Sequence, residues 1–164
     1  MQAASPAPGL RHVFHRSKDT VVPLDDVPRP DAGAPKPVVS ANEHFVALAY
    51  YAVGPGDAVA LIAFDSYAHM FGPPNDEGLE GHPLYGRGLN NHNCFEVRES
   101  SWIRAFERMN RVHMWHDSAR FARYRHFIIT FQDSTFECIA ERYRVSIQTG
   151  DPAEVIRHAA EIKA

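Results

Sequence analysis

No run of about 18 consecutive apolar residues occurs in the 164-residue chain, so no segment reads as a membrane-spanning helix. Positive charge is not concentrated either: 17 Lys and Arg against 20 Asp and Glu leave a formal net charge of −3, with the signs intermixed. Phosphate binding needs a basic stripe, and its lack argues against nucleic acid as the main partner. Cysteine is scarce, with only Cys94 and Cys138, 44 residues apart. Two cysteines without a secretory signal point to free thiols in a reducing, cytoplasmic setting. Both fall in apolar strand-like runs, where Cys behaves as a small buried hydrophobe. The opening MQAASPAPGLRHVFHRSK has no apolar core of the secretory kind, although Arg11, Arg16 and Lys18 without an acid before Asp19 fit a targeting or docking segment. The recognised catalytic frames are missing too: there is no His-Glu-x-x-His helix, no Cys-x-x-Cys pair, no phosphate loop and no Gly-x-Ser-x-Gly elbow.

What is present supports one domain. At 45% hydrophobic, the chain can bury one core and has no room for two ordinary domains. Seven of its twelve prolines fall at positions 6, 8, 23, 28, 30, 35 and 37. Each removes an amide donor and restricts the residue before it. Residues 1–40 therefore read as a Pro-rich extended or disordered tail, with Val21 to Val27 lying along the domain surface. Residues 41–164 read as a single α+β domain.

Within that domain the apolar pattern alternates between hairpins and helices. His44 to Val53 and Ala58 to Phe64 flank the turn Gly54-Pro55-Gly56-Asp57 and read as an antiparallel hairpin. Cys94 to Arg98 is a short strand. Ser100 or Ser101 can cap a helix that buries Trp102, Phe106 and Met109, with Val112 or His113 extending that face. Asp117 or Ser118 can cap a second, short helix carrying Phe121 and Tyr124. His126 to Phe131 and Thr135 to Ala140 form another hairpin around Asp133-Ser134, in a two-residue turn. The alternation continues through Tyr143, Val145 and Ile147, a half-buried strand expected at a charged sheet edge. Asp151-Pro152-Ala153-Glu154 signals the start of a C-terminal helix, with Val155, Ile156, Ala159 and Ile162 inward. Strands in hairpins predict a mainly antiparallel sheet of about five strands, with two or three helices packed on it.

Between the first hairpin and the Cys94 strand, residues 65–99 gather Gly, Pro, Asn, Asp and three histidines, yet keep Tyr67, Met70, Phe71, Leu79, Leu84, Tyr85 and Leu89 as apolar anchors. A long irregular segment with anchors reads as an ordered functional loop. Three chemistries compete for it. Arg87 between glycines, beside Tyr85, Asn90, Asn91 and His92, offers a planar cation and neutral donors to a carboxylate- or phosphate-bearing ligand. His69 and His82 with Asp76 or Glu77 offer general acid–base catalysis. His69, His82, His113 and His116, with Asp76 or Glu77, form a set suited to a divalent metal, provided the four imidazoles converge. Glu137 stands apart as a carboxylate inside an otherwise apolar strand, which needs a partner if it faces inward.

The leading expectation is a small ligand- or partner-binding accessory protein using the 65–99 loop as its surface. A small metal-dependent hydrolase or lyase is the first alternative. An immunity-type interaction module that pairs its tail or edge strand with a partner protein is the second.

Overall fold

The computed structural model describes residues 18–161. The leading segment 1–17 and the inward position expected of Ile162 lie outside the described residues. Seven strands form one antiparallel sheet: β1 (Thr20–Pro23), β2 (Val38–Ala41), β3 (Val46–Tyr51), β4 (Ala58–Gly72), β5 (Cys94–Arg98), β6 (Arg125–Thr130) and β7 (Thr135–Thr149). Three helices accompany them: α1 (Ser101–Asn110), α2 (Ser118–Phe121) and α3 (Pro152–Glu161). The α+β antiparallel architecture stands as read from the sequence, and the sheet is larger than expected. Its order is β1-β5-β6-β7-β4-β3-β2.

The two added strands come from the Pro-rich region. Within residues 18–40 the chain is not a loose tail: β1 pairs with β5, Thr20 opposite Arg98, and β2 pairs with β3, Val38 opposite Ala49. Both are edge strands, where proline is tolerated because one side of the backbone needs no partner. Pro23 closes β1, and Pro30 makes an isolated bridge to Ala52.

β4 and β7 form the spine and run unbroken for 15 residues each. The register shifts twice, between Phe64 and Ser66 and between Ser66 and Ala68. Each shift leaves an extra residue on one strand and bends the pair. At the first, Asp65 receives Arg142 at 3.0 Å and Arg144 at 3.7 Å. The wet stretch of β7 pairs with β4 on one side only, because the ladder to β6 ends at Ala140; its free side is the charged edge expected, with charge gathered at the bend. β4 also continues to Gly72, so the first eight residues of the expected loop are strand.

The sheet curls around one face. Tyr50 on β3 brings its hydroxyl 3.5 Å from Cys94 Sγ on β5, although β4, β7 and β6 lie between them in the sheet. Phe64, Phe127, Phe131 and Phe136 fill the enclosed interior with Leu48, Ile62 and Ile129. Residues 24–31 strap its open side. Leu24 donates to the Cys94 carbonyl at 2.9 Å, Val27 is buried in the interior cluster, and Asp31 donates to the Tyr51 carbonyl at 2.9 Å.

The outer face carries the helices. Ile156 of α3 packs on Ala47, Ala49 and Val59, and Asp151 caps α3 through the Ala153 amide at 2.8 Å. Trp102, Ile103 and Phe106 of α1 gather with Phe121, Tyr124 and Ile139. Ser100 caps α1 through the Ile103 amide. Met109 and Val112 do not extend the buried face: they are 67% and 93% exposed. The second hairpin turn is also wider than two residues. Thr130 pairs with Thr135, because Phe131 turns into the interior at 1% exposure and its amide closes on the Ser134 carbonyl at 2.8 Å.

Candidate functional site: a buried carboxylate between two imidazoles

The irregular segment spans residues 73–93 and contains two single turns of 3-10 helix, Leu79–Gly81 and Tyr85–Arg87. Leu79, Leu84 and Leu89 anchor it by packing against Val21, Phe95, Val97 and Ile128. The hairpin turn between β6 and β7 pins it at both ends. Thr135 donates its hydroxyl to the Pro74 carbonyl at 2.9 Å, Asp76 donates its amide to Gln132, and Thr130 donates to the Asn90 carbonyl at 2.9 Å. His82 lies between two of these leucines, so burying them turns its ring toward the sheet.

There it meets Glu137. Along β6 and β7 the register sets Ile128 opposite Glu137 and His126 opposite Ile139, which places His126 and Glu137 diagonally on the helix-bearing face. His126 Nε2 lies 2.8 Å from Glu137 Oε2, and His82 Nε2 lies 3.2 Å from Oε1. The far nitrogens are bonded as well. His82 Nδ1 accepts the Leu84 amide at 3.2 Å, so its proton sits on Nε2. His126 Nδ1 is 2.9 Å from Ser100 Oγ. That oxygen also accepts the Ile103 amide. Each ring donates from Nε2 to one oxygen of a single carboxylate. Burial pushes the Glu137 carboxyl up, but the hydrogen bonds from His126 and His82, with the charge attraction of the two imidazoles, outweigh it and hold the group at about 2. Trp102 stacks edge-on over His126 at 5.1 Å between ring centres and shields the chain from water.

Glu137 also lines a cleft of about 300 Å³ with Met70, Phe71, Gly72, Pro73 and Thr135. The ionised group therefore lies at the wall of an otherwise uncharged recess at the end of the β4–β7 pair.

The sequence Ser100, His126, Glu137 has the connectivity of a nucleophile–base–acid relay. Its surroundings are those of a helix cap. Asp19 accepts the Ser101 amide at 2.7 Å and the Ser101 hydroxyl at 2.6 Å, with Arg104 at 3.3 Å. A carboxylate thus occupies the helix start, where an oxyanion would need open amides.

The other expected site residues are dispersed. His69 is exposed on β4 opposite Cys138. His113 is exposed and its Nδ1 accepts the Trp115 amide at 3.1 Å. His116 bonds Asn110 and Ser118 at 2.9 and 3.2 Å. Among the described residues, no three His, Cys, Asp or Glu side chains are placed to hold a metal ion. The expected convergence of His69, His82, His113 and His116 is thus corrected: the α1 terminus uses two of them locally, and Glu137 captures His82. Of the acid–base pairings, Asp76 lies 3.7 Å from His92 and Glu77 is exposed; neither meets His82. In the Arg87 group, Arg87 donates to the Asp19 carbonyl at 3.3 Å and so ties the segment to β1. Tyr85, Asn90 and Asn91 are exposed, and His92 adopts φ 53°.

His126 and Ser100 are the site members that sequence reasoning missed. The available signal was the hairpin register, since a four-residue turn places His126 and Glu137 on one face. The two thiols are inert by environment: burial pushes Cys94 and Cys138 each to about 12. No protein-family model matches the chain, and no curated protein or solved structure is found similar to it.

Proposed function

We propose that this is a small-molecule-binding protein whose 65–99 segment and β7 together form the binding cleft, with Glu137 as its polar anchor. One observation carries the reading: a carboxylate hydrogen-bonded by two imidazoles, with no Lys or Arg partner, lines a recess whose other lining residues carry no charge. A ligand site is typically an apolar concavity with a few convergent polar groups, and a buried ionised group that no structural ion pair explains is a candidate for function. The rings, the serine cap and Trp102 then serve as supports that fix the carboxylate before any ligand arrives.

A second surface favours a protein partner. Met109, Val112, Met114 and Trp115 are 67%, 93%, 82% and 77% exposed in one short stretch around the end of α1, an apolar concentration of the kind found at interaction sites. Methionine methyl spectra separate the two readings, because Met70 reports the cleft while Met109 and Met114 report this patch. In a fragment screen, binding at the cleft shifts Met70 alone, and Met70→Trp, which fills the recess, abolishes the response. Hits that move only Met109 and Met114, or that bind Met70→Trp unchanged, would exclude the cleft.

A further inference from the structure

We infer that the cleft takes a small organic cation, an ammonium group on a compact apolar body, with Glu137 as its counter-ion. The inference rests on the cleft reading above and adds the class of ligand.

Two other carboxylates in the fold are comparably buried, and each is matched by a guanidinium. Asp19, with its side chain 6% exposed, has Arg104 at 3.3 Å. Glu96, at 16%, has Arg125 in a two-pronged pair at 3.1 and 2.7 Å. Glu137, at 11%, has only imidazoles. Both rings donate to it from Nε2, and neither is a permanent cation, so Ser100, His126, Glu137 and His82 together hold one carboxylate and no guanidinium or ammonium. A buried charge without a counter-charge is costly, and the hydrogen bonds offset only part of that cost. The cleft adds no permanent cation either: its lining of Met70, Phe71, Gly72, Pro73 and Thr135 contains no base. Thr135 has its hydroxyl committed to the Pro74 carbonyl.

The same lining selects the kind of cation. An inorganic divalent ion needs several hard ligands, and no such cluster occurs among the described residues. The Met70 side chain, paired across from Glu137 in the sheet and 54% exposed, is a soft apolar surface suited to carbon. An ammonium that donates to the carboxylate while laying its apolar body on Met70 and Pro73 satisfies both features.

The test compares benzylammonium with its neutral isostere benzyl alcohol, titrated against the full chain and followed by the Met70 methyl resonance. The ammonium is expected to bind at least about tenfold more tightly, as a charge-assisted hydrogen bond predicts, and to weaken with added salt. In Glu137→Gln, which keeps the shape and removes the charge, that preference should disappear. Equal binding of the two probes, tighter binding of the alcohol, or a preference surviving in Glu137→Gln would each overturn the assignment of charge while leaving the cleft reading in place. Failure of benzylammonium to shift Met70 also overturns it, and the fragment screen then decides the cleft reading separately. If Glu137→Gln does not fold, the comparison of ammonium with alcohol in the unaltered protein is sufficient.

Discussion

At the scale of single residues, Glu137 makes a stability claim as well as a functional one. Its carboxyl sits at about 2 when folded against an ordinary 4.5, so the unfolded chain takes up that proton first as pH falls. The stabilisation is complete above about pH 4.5 and disappears as pH falls toward 2. It amounts to something on the order of 3 kcal/mol, since each tenfold in proton affinity is worth ~1.4 kcal/mol. Urea unfolding between pH 6 and pH 2.5 should therefore show a steep acid limb that flattens in Glu137→Gln. Parallel limbs in the two proteins would place the acid sensitivity elsewhere. Glu137 is also where the sequence was most informative. A charged residue between Phe136 and Cys138 breaks an apolar strand, and that irregularity is visible without coordinates. Its partners are not, because His82 and His126 lie 55 and 11 residues away and meet it only once a loop is anchored and a register set.

At the scale of elements, β1 is held by contacts that no pattern in its own four residues announces. Asp19 caps α1, the Arg87 guanidinium bonds the Asp19 carbonyl, and Gly88 passes directly beneath Val21. A β-carbon on Gly88 would lie 2.7 Å from the Val21 carbonyl oxygen, at a φ of +115° that only glycine adopts readily. Gly88→Ala should cost at least ~2 kcal/mol and do so by lifting β1. Hydrogen exchange checks this: the amides of Glu96 and Ser101, which face β1 and Asp19, lose protection first while those of β4 and β7 keep theirs. Uniform loss of protection would mean that β1 and the sheet open together. Helix starts at Ser100, Asp117 and Asp151 were legible because capping is local chemistry. The length of β4 was not, since the extra residue at Tyr67 interrupts the two-residue alternation that marks a strand, and Pro73 and Pro74 make the whole stretch resemble loop.

At the scale of the whole molecule, the interior is closed by the strap at residues 24–31, and the thiols measure that closure. Cys94 lies under the strap, 3.6 Å from the Pro28 carbonyl, while Cys138 lies on the central strand β7. Val27→Ala removes two methyl groups from the interior cluster, a change expected to cost roughly 1–2 kcal/mol. If the strap opens by itself, a thiol reagent should label Cys94 about tenfold faster in this variant, with Cys138 nearly unchanged. Equal acceleration of both would make strap and sheet one cooperative unit. The α+β class was readable because hairpin spacing and apolar alternation are encoded within a few residues. Closure was not, because it joins residues far apart in the chain through segments whose composition alone suggests a tail.

That closure sets an order of events during synthesis. Thr20 is made early, yet its partner is Arg98, and the two strands nearest the start of the described chain sit at opposite ends of the sheet. On the ribosome, β3 and β4 can form their hairpin as soon as they emerge. The curled interior must wait for β5, β6 and β7, with Tyr50, Phe64 and the underside of the strap exposed meanwhile. Pairings this distant in sequence slow folding, and exposed aromatic surface in a growing chain invites association with other chains. The nascent protein should therefore depend on chaperone capacity most heavily between completion of β4 and completion of β7.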